Sequence, residues 1–220
     1  MTEKTVSYVI KPILFLICLL PLTYISWLYF NHALGANPIE KVTRFSGDWA
    51  LRFLLITLTV TPLRRITGQT WLLRLRRMLG LFCFFYGVCH VASYVVLDQF
   101  FAWDEIWKDI VKRPYITIGM LTFITLVPLA VTSTNKMMKR LGGRNWKKLH
   151  QLVYLAGIGA VTHYLFLVKA DASNPLLYGG ALVVLLGYRA IFVWPKTPPS
   201  EGTSNVVTAP VTQEPTPETR

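Results

Sequence analysis

Acidic residues are scarce in this chain, polar stretches are short and cysteines number three, and each shortage closes off a class of protein. Asp and Glu total 11 against 23 Lys and Arg, for a formal net charge of +12. In a soluble protein that balance would suggest nucleic acid. Here the basic residues gather in short segments between apolar runs, which reads as membrane topology, and no nucleic-acid partner is expected. No polar stretch could build a soluble domain, and neither a Walker or Rossmann glycine signature nor an internal repeat occurs. Whatever reduces this protein, or is reduced by it, must therefore be another molecule. Cys18, Cys83 and Cys89 all fall within apolar runs, which excludes a disulfide framework.

What is abundant is apolar sequence. Hydrophobic residues make up 53% of the 220 and the mean hydropathy is +0.42, too apolar for a soluble domain of this length. A bilayer core about 30 Å thick needs roughly 20 apolar helical residues. Six stretches meet or approach that requirement, near 12–30, 47–63, 78–97, 114–132, 149–168 and 174–194. None has the alternation of a barrel strand, so the expected fold is an all-α membrane protein, a bundle of six transmembrane helices over residues 1–195. Lys4 and Lys11 ahead of the first run resemble a signal peptide, but the run continues to Phe30 without a small-residue cleavage site. It reads as a first helix that stays.

Loop charges set the expected orientation, because Lys and Arg in short loops stay in the cytoplasm. The second loop holds Arg64, Arg65, Arg74, Arg76 and Arg77, and the fourth holds Lys136, Lys139, Arg140, Arg144, Lys147 and Lys148. The third carries Asp98, Asp104, Glu105 and Asp109 and faces outward. Both termini are then cytoplasmic, in a multi-pass protein of a bacterial inner membrane, embedded in lipid. Trp27, Trp103, Trp107 and Trp194 form an aromatic belt at the span ends. Residues 196–220, rich in Pro, Thr and Glu, read as a disordered cytoplasmic tail.

Three of the four histidines lie in or at the edge of spans: His90 in the third, His150 and His163 in the fifth. An ionisable residue inside a span is costly and marks a functional site by default. The bland alternative is a neutral imidazole bonded to a neighbouring helix, and three on two helices weigh against it. At 1.5 Å per residue, His90 and His163 fall at about the same depth, in the outer half of the bilayer. Two imidazoles at matched depth on neighbouring helices can ligate one haem iron axially, giving a six-coordinate centre suited to electron transfer. Attachment must be non-covalent, hence haem b, because Tyr86 stands where a C-x-x-C-H site needs cysteine.

His150 lies roughly 20 Å closer to the cytoplasm. It could ligate a second, inner haem, but Arg77 occupies the corresponding level of the third helix, and Arg is not an iron ligand. In a straight helix His150 and His163 also point about 140° apart, unless Gly157 and Gly159 permit a bend. A metal-only site of His90, His150 and His163 is the alternative, though zinc or copper ligands usually come closer together with carboxylate or thiolate company. Arg52, in the outer turns of the second helix, is a candidate partner for haem propionates, against the commoner reading that it snorkels to water. His32, in the first outward loop, reads as an ordinary interfacial histidine. The competing functional classes are a proton or metal transporter lined by the histidines and a self-contained transmembrane ferric or quinone reductase.

The segments NPIE (37–40), SGDWALRFLLITLTVTPLRRITG (46–68), RRMLGLFCFFYGVCHVASYVVLD (76–98), KRPYITIGM (112–120), PLAVTSTNKMMKRLGGRNWKKLHQLVYL (128–155) and THYLFLVKAD (162–171) strongly resemble the MsrQ family. These are haem-binding membrane subunits of bacterial methionine sulfoxide reductase systems, within the ferric-reductase-like membrane domains. The resemblance spans about residues 8–195 and leaves the tail outside. It implies that His90, His150 and His163 bind haem; Arg77 stands where a fourth histidine might be sought and, with Arg52, is kept as a candidate at the cofactor site. It also implies electrons arriving from the quinone pool or a cytoplasmic flavin reductase and leaving to a periplasmic molybdopterin-containing catalytic subunit, MsrP. FMN is associated with the family and finds no assignable residue. On this reading the chain is a non-catalytic electron-transfer subunit of an oxidoreductase complex, with one haem, or two if His150 finds a partner.

Overall fold

The computed structural model describes residues 5–168 and 171–192, so Trp194 and the tail expected at 196–220 lie outside the described residues. Among the described residues all regular structure is helical. The long helices are α1 (Val6–Phe30), α2 (Pro38–Thr67) and α3 (Leu73–Ala92), the last prolonged by a π turn over Ser93–Asp98. After a short helix α4 (Trp103–Lys112) come α5 (Pro114–Val131), two more short helices α6 (Asn135–Leu141) and α7 (Gly143–Leu149), then α8 (Leu152–Leu167) and α9 (Ser173–Phe192).

Among the described residues four helices are long and apolar enough to cross a membrane: Val6–Phe30, Thr70–Asp98, Pro114–Val131 and Ser173–Phe192. The two other expected spans depart from that pattern. α2 is a 30-residue helix, longer than its apolar stretch, because Asn37 caps its N-terminus by accepting from the Glu40 N–H at 3.2 Å and Gly68, at φ 70°, closes its C-terminus in the left-handed region. α8 has 16 residues, because a turn at His150 and Gln151 interrupts the chain before it. The expected outward loop contains α4, whose exposed Trp103, Trp107 and Val111 recur at i, i+4 and i+8 as on a helix that lies along an interface.

α2 and α3 form the central hairpin. Leu51, Leu54, Leu58, Leu79, Phe82 and Tyr86 are buried between them, and the Phe53 and Tyr86 rings stack at 5.3 Å. α5 and α8 form a second antiparallel pair. Gly157 and Gly159 are contact points: a Cβ on Gly159 would come within 2.3 Å of the Thr122 hydroxyl of α5, and one on Gly157 within 3.1 Å of Leu182 of α9.

Prolines inside the helices remove N–H donors, and near two of them, Pro62 and Pro21, a side chain from a distant helix bonds the backbone. Pro62 cannot donate to the Leu58 carbonyl, and buried Arg189 of α9 does so instead at 2.8 Å, while also donating to Thr61 at 3.0 Å and Tyr154 at 2.8 Å. Beside Pro21, the Tyr86 hydroxyl wedges into α1: it accepts from the Leu22 N–H at 3.2 Å and donates to the Cys18 carbonyl at 2.8 Å. Tyr86→Phe strands both groups and is expected to destabilise the bundle by about 1–3 kcal/mol, read as a lower thermal midpoint of the detergent-solubilised protein.

Candidate functional site

The last α-helical turn of α3 and the C-terminal half of α8 bring His90 and His163 together, with ring centroids 6.1 Å apart and planes at 78°. Each imidazole is held from behind by the opposite helix of its own pair. His90 Nδ1 lies 2.8 Å from the Thr43 carbonyl of α2, and His163 Nδ1 lies 2.6 Å from the Tyr115 carbonyl of α5. A carbonyl can only accept, so Nδ1 carries the proton in both rings and Nε2 is left with its lone pair. That is the tautomer a metal-ligating histidine needs.

A glycine stands four residues after each carbonyl. A Cβ on Gly47 would lie 2.9 Å from His90 Nδ1, and one on Gly119 would lie 2.7 Å from His163 Nδ1. The two hairpins thus use one device twice: carbonyl at i, glycine at i+4, imidazole in the gap. Sequence reasoning found both histidines and missed both glycines, whose signal was the shared carbonyl-x-x-x-Gly spacing in Thr43–Gly47 and Tyr115–Gly119.

The rings face a cavity of about 700 Å³ between the hairpins, within the range of small-molecule and cofactor sites. Its walls are apolar at the level of Leu54, Cys83, Phe123 and Leu126, and its mouth is charged, with Lys41, Arg44 and Arg113 beside Glu40, Asp48 and Asp98. Arg44 pairs with Glu40 at 2.7 Å and Arg113 with Asp109 at 3.2 Å.

The remaining expected site residues lie elsewhere. Arg52 is not in the wall of this cavity: its Nε donates to the Tyr178 hydroxyl at 2.9 Å and its guanidinium sits 4.9 Å over the Trp49 ring. Arg77 donates to Asn135 Oδ1 and to Met138 Sδ. His150 sits in the turn before α8, stacked on Trp146 at 3.8 Å, with Nδ1 3.1 Å from the Trp146 carbonyl. Its Nε2 is buried without a hydrogen-bond partner. Among the described residues no three His, Cys, Asp or Glu gather closely enough to hold a metal ion.

Spacing discriminates between kinds of centre. With a metal–nitrogen bond of about 2 Å and about 1.1 Å from nitrogen to ring centroid, trans imidazoles lie about 6.2 Å apart and tetrahedral ones about 5 Å. The 6.1 Å observed would suit two imidazoles holding one iron between them, and the cavity between the hairpins, apolar within and carrying charges of both signs at its mouth, has residues that would hold a haem.

Residues 16–161 match the family model described as the ferric reductase like transmembrane component. The chain is also similar to three curated proteins, each named "Protein-methionine-sulfoxide reductase heme-binding subunit MsrQ". That of Rhodospirillum rubrum is 54% identical, over 80% of this chain and 85% of its own length. That of Herminiimonas arsenicoxydans is 48% identical over 85% and 87%, and that of Caulobacter vibrioides 48% over 87% and 90%.

An added methyl must push either imidazole off its carbonyl, at a cost of about 1–3 kcal/mol. Gly119→Ala and Gly47→Ala are therefore expected to weaken a bis-imidazole centre, Gly119→Ala the more. The check is the fraction of reconstituted haem that turns from low-spin to high-spin in the visible spectrum.

Proposed function

The chain belongs to the ferric-reductase-like transmembrane family and, within it, to the MsrQ haem-binding subunits, and on that footing we propose that it is the membrane electron-transfer subunit of a methionine sulfoxide reductase system. The observation that carries this reading is the pair of back-bonded imidazoles 6.1 Å apart across a cavity between two hairpins. Haem b, held there by His90 and His163, would supply reversible one-electron chemistry.

The chain's own residues do the rest. His90 and His163 ligate through Nε2, while the Thr43 and Tyr115 carbonyls fix their tautomer and orientation and raise their basicity. Leu54, Cys83, Phe123 and Leu126 keep water from the slot. Lys41 and Arg44 on one hairpin and Arg113 on the other flank the mouth and offer cations to the two propionates. With His90 and His163 both given to a bound haem, the site would serve electron transfer and would leave substrate chemistry to another subunit. Reduction of the sulfoxide belongs to the periplasmic molybdopterin subunit, MsrP. The donor is the quinone pool or a cytoplasmic flavin reductase.

In this reading α2 and α8 also cross, completing six spans with both termini in the cytoplasm. Support comes from the arginines around the α2–α3 turn and the lysines and arginines of α6 and α7 on one side, against the acidic α4 region on the other. The charged mouth of the cavity then faces outward, toward the acceptor. His150, with its unpartnered Nε2, and Arg77 belong to the inner half, where His150 is the candidate ligand of a second haem.

The test is a reduced-minus-oxidised spectrum of the purified protein with haem quantified per chain. His90→Ala and His163→Ala are each expected to abolish the low-spin b-type signal and reduction of the partner. His150→Ala is expected to leave that signal and remove any second haem. A colourless wild-type protein, or full haem in either outer variant, would overturn the assignment.

A further inference from the structure

α4 joins two spans with little slack. The π turn that prolongs α3 ends at Asp98, α4 runs from Trp103 to Lys112, and α5 begins at Pro114. Both neighbours are long and apolar enough to cross a membrane. Short links therefore hold α4 at the level where the two spans reach the surface of the bilayer.

At about 100° per residue, the side chains of α4 fall into three arcs roughly a third of a turn apart. Ile106, Asp109 and Ile110 form the first, which faces the bundle. Ile106 is 6% exposed, Asp109 accepts from the Tyr94 hydroxyl at 3.2 Å, and the Ile110 carbonyl accepts from the Thr117 hydroxyl. Asp104, Glu105, Lys108 and Lys112 form the second, all exposed, with Lys108 paired to Glu105 at 2.7 Å. Trp103, Trp107 and Val111 form the third, and they are 65%, 68% and 70% exposed. Protein covers the first arc and water suits the second, so the third needs a different medium.

Its neighbours identify that medium. Phe100 and Phe101, in the link before α4, hold φ at 46° and 61°, a left-handed backbone that bulky residues rarely adopt, and both rings are exposed. Trp27, Tyr29 and Phe30 at the end of α1 are exposed as well, and in the six-span reading the ends of α1 and α3 reach the same side of the bilayer. Aromatic rings concentrate at that depth, apolar body among acyl carbons and polar tip among headgroups. A docked protein would meet charges and rings mixed on one face. Here they are segregated, as on a helix half sunk in the headgroup region.

Asp109 links this helix to the histidine cavity. Its carboxylate accepts from Tyr94, four residues after His90, and pairs with Arg113, two residues before the Tyr115 whose carbonyl holds His163. Tyr94 and Arg113 both line the cavity. We propose that α4 is seated in the outer leaflet through Trp103, Trp107 and Val111, and that this seat holds Asp109 as a clasp joining Tyr94 to Arg113 at the mouth of the cavity. Asp109 is a positioning residue. The seat stands without the electron-transfer reading, whereas the effect of the clasp on haem rests on it.

The experiment places single cysteines along α4 of the full-length protein in phosphatidylcholine nanodiscs and times their reaction with a charged, water-soluble maleimide. Wild-type protein is the blank for Cys18, Cys83 and Cys89. Asp104→Cys and Lys108→Cys are expected to react fast. Trp103→Cys, Trp107→Cys and Val111→Cys are expected to react about tenfold or more slowly, because thiolate is the reactive form and apolar surroundings suppress it. Asp109→Asn, and Trp103→Gln combined with Trp107→Gln, are each expected to speed haem transfer to apomyoglobin about fivefold, the worth of one hydrogen bond. Lys108→Gln should leave that rate unchanged. Equal labelling rates on the two exposed arcs, protection of the aromatic positions only when the periplasmic partner is added, or haem transfer indifferent to Asp109→Asn would each overturn the proposal. Wild-type protein without haem would sink the electron-transfer reading instead, and amide exchange around Tyr94 and Arg113, expected to be about fivefold faster in Asp109→Asn, would then decide the clasp.

Discussion

The hydrogen bond from an imidazole Nδ1–H to a helix carbonyl is the constraint around which the outer half of this bundle is arranged. A carbonyl inside a helix already accepts the N–H of residue i+4 and has one lone pair to spare. The side chain at i+4 normally covers it, because helical side chains lean back toward the N-terminal turn. Removing that side chain uncovers the lone pair, and Gly47 and Gly119 do this for Thr43 and Tyr115. Each imidazole then also serves as a packing element, so the crossing of α3 on α2 and of α8 on α5 is fixed by the same bonds that set the ligand tautomer. Ring separation follows from how the two hairpins stand relative to each other.

A bilayer makes such bonds hard to replace. Water cannot satisfy a stray polar group there, so each proline or carbonyl that breaks the helical pattern needs a named partner. Arg189 answers for Pro62 and Tyr86 for the break beside Pro21. Both repairs reach between helices far apart in sequence, and both converge on the central hairpin. A buried arginine on α9 thus has a structural reason to be where it is: it is bonded to a backbone carbonyl, a hydroxyl and a tyrosine, and sits 5.3 Å from the Tyr154 ring.

Much of this was legible in the sequence, and what was not had a physical reason for hiding. Apolar runs announced the helices, and matched depth announced the pairing of His90 with His163. Depth is a one-dimensional quantity that 1.5 Å per residue supplies. The glycine cradles depend on which faces of two helices meet, which periodicity alone does not give. Arg52, read from the sequence as an outer-turn partner for propionates, lies about 7.5 Å further along α2 than Gly47, away from Lys41 and Arg44, and on the face of α2 turned toward α1, so both depth and azimuth keep it out of the histidine cavity. The straight-helix argument about His150 failed because α8 begins at Leu152 and the histidine lies in the turn before it. Short helices α4, α6 and α7 fall within stretches read as loops, where charge carried the topology signal and obscured the helical one.

The inner histidine is built on a different principle from the outer pair. His150 bonds the carbonyl of Trp146, four residues back in its own segment, and stacks on the same residue's ring. Its orientation is therefore set locally, by one stretch of chain, while that of His90 and His163 is set by the crossing of two helices. Trp146 in turn donates to the Thr132 carbonyl at the end of α5 at 2.9 Å, which ties the turn to the bundle. Neither His90 nor His163 can shift without repacking a pair of helices, whereas His150 moves with the short helix α7 and the turn that follows it.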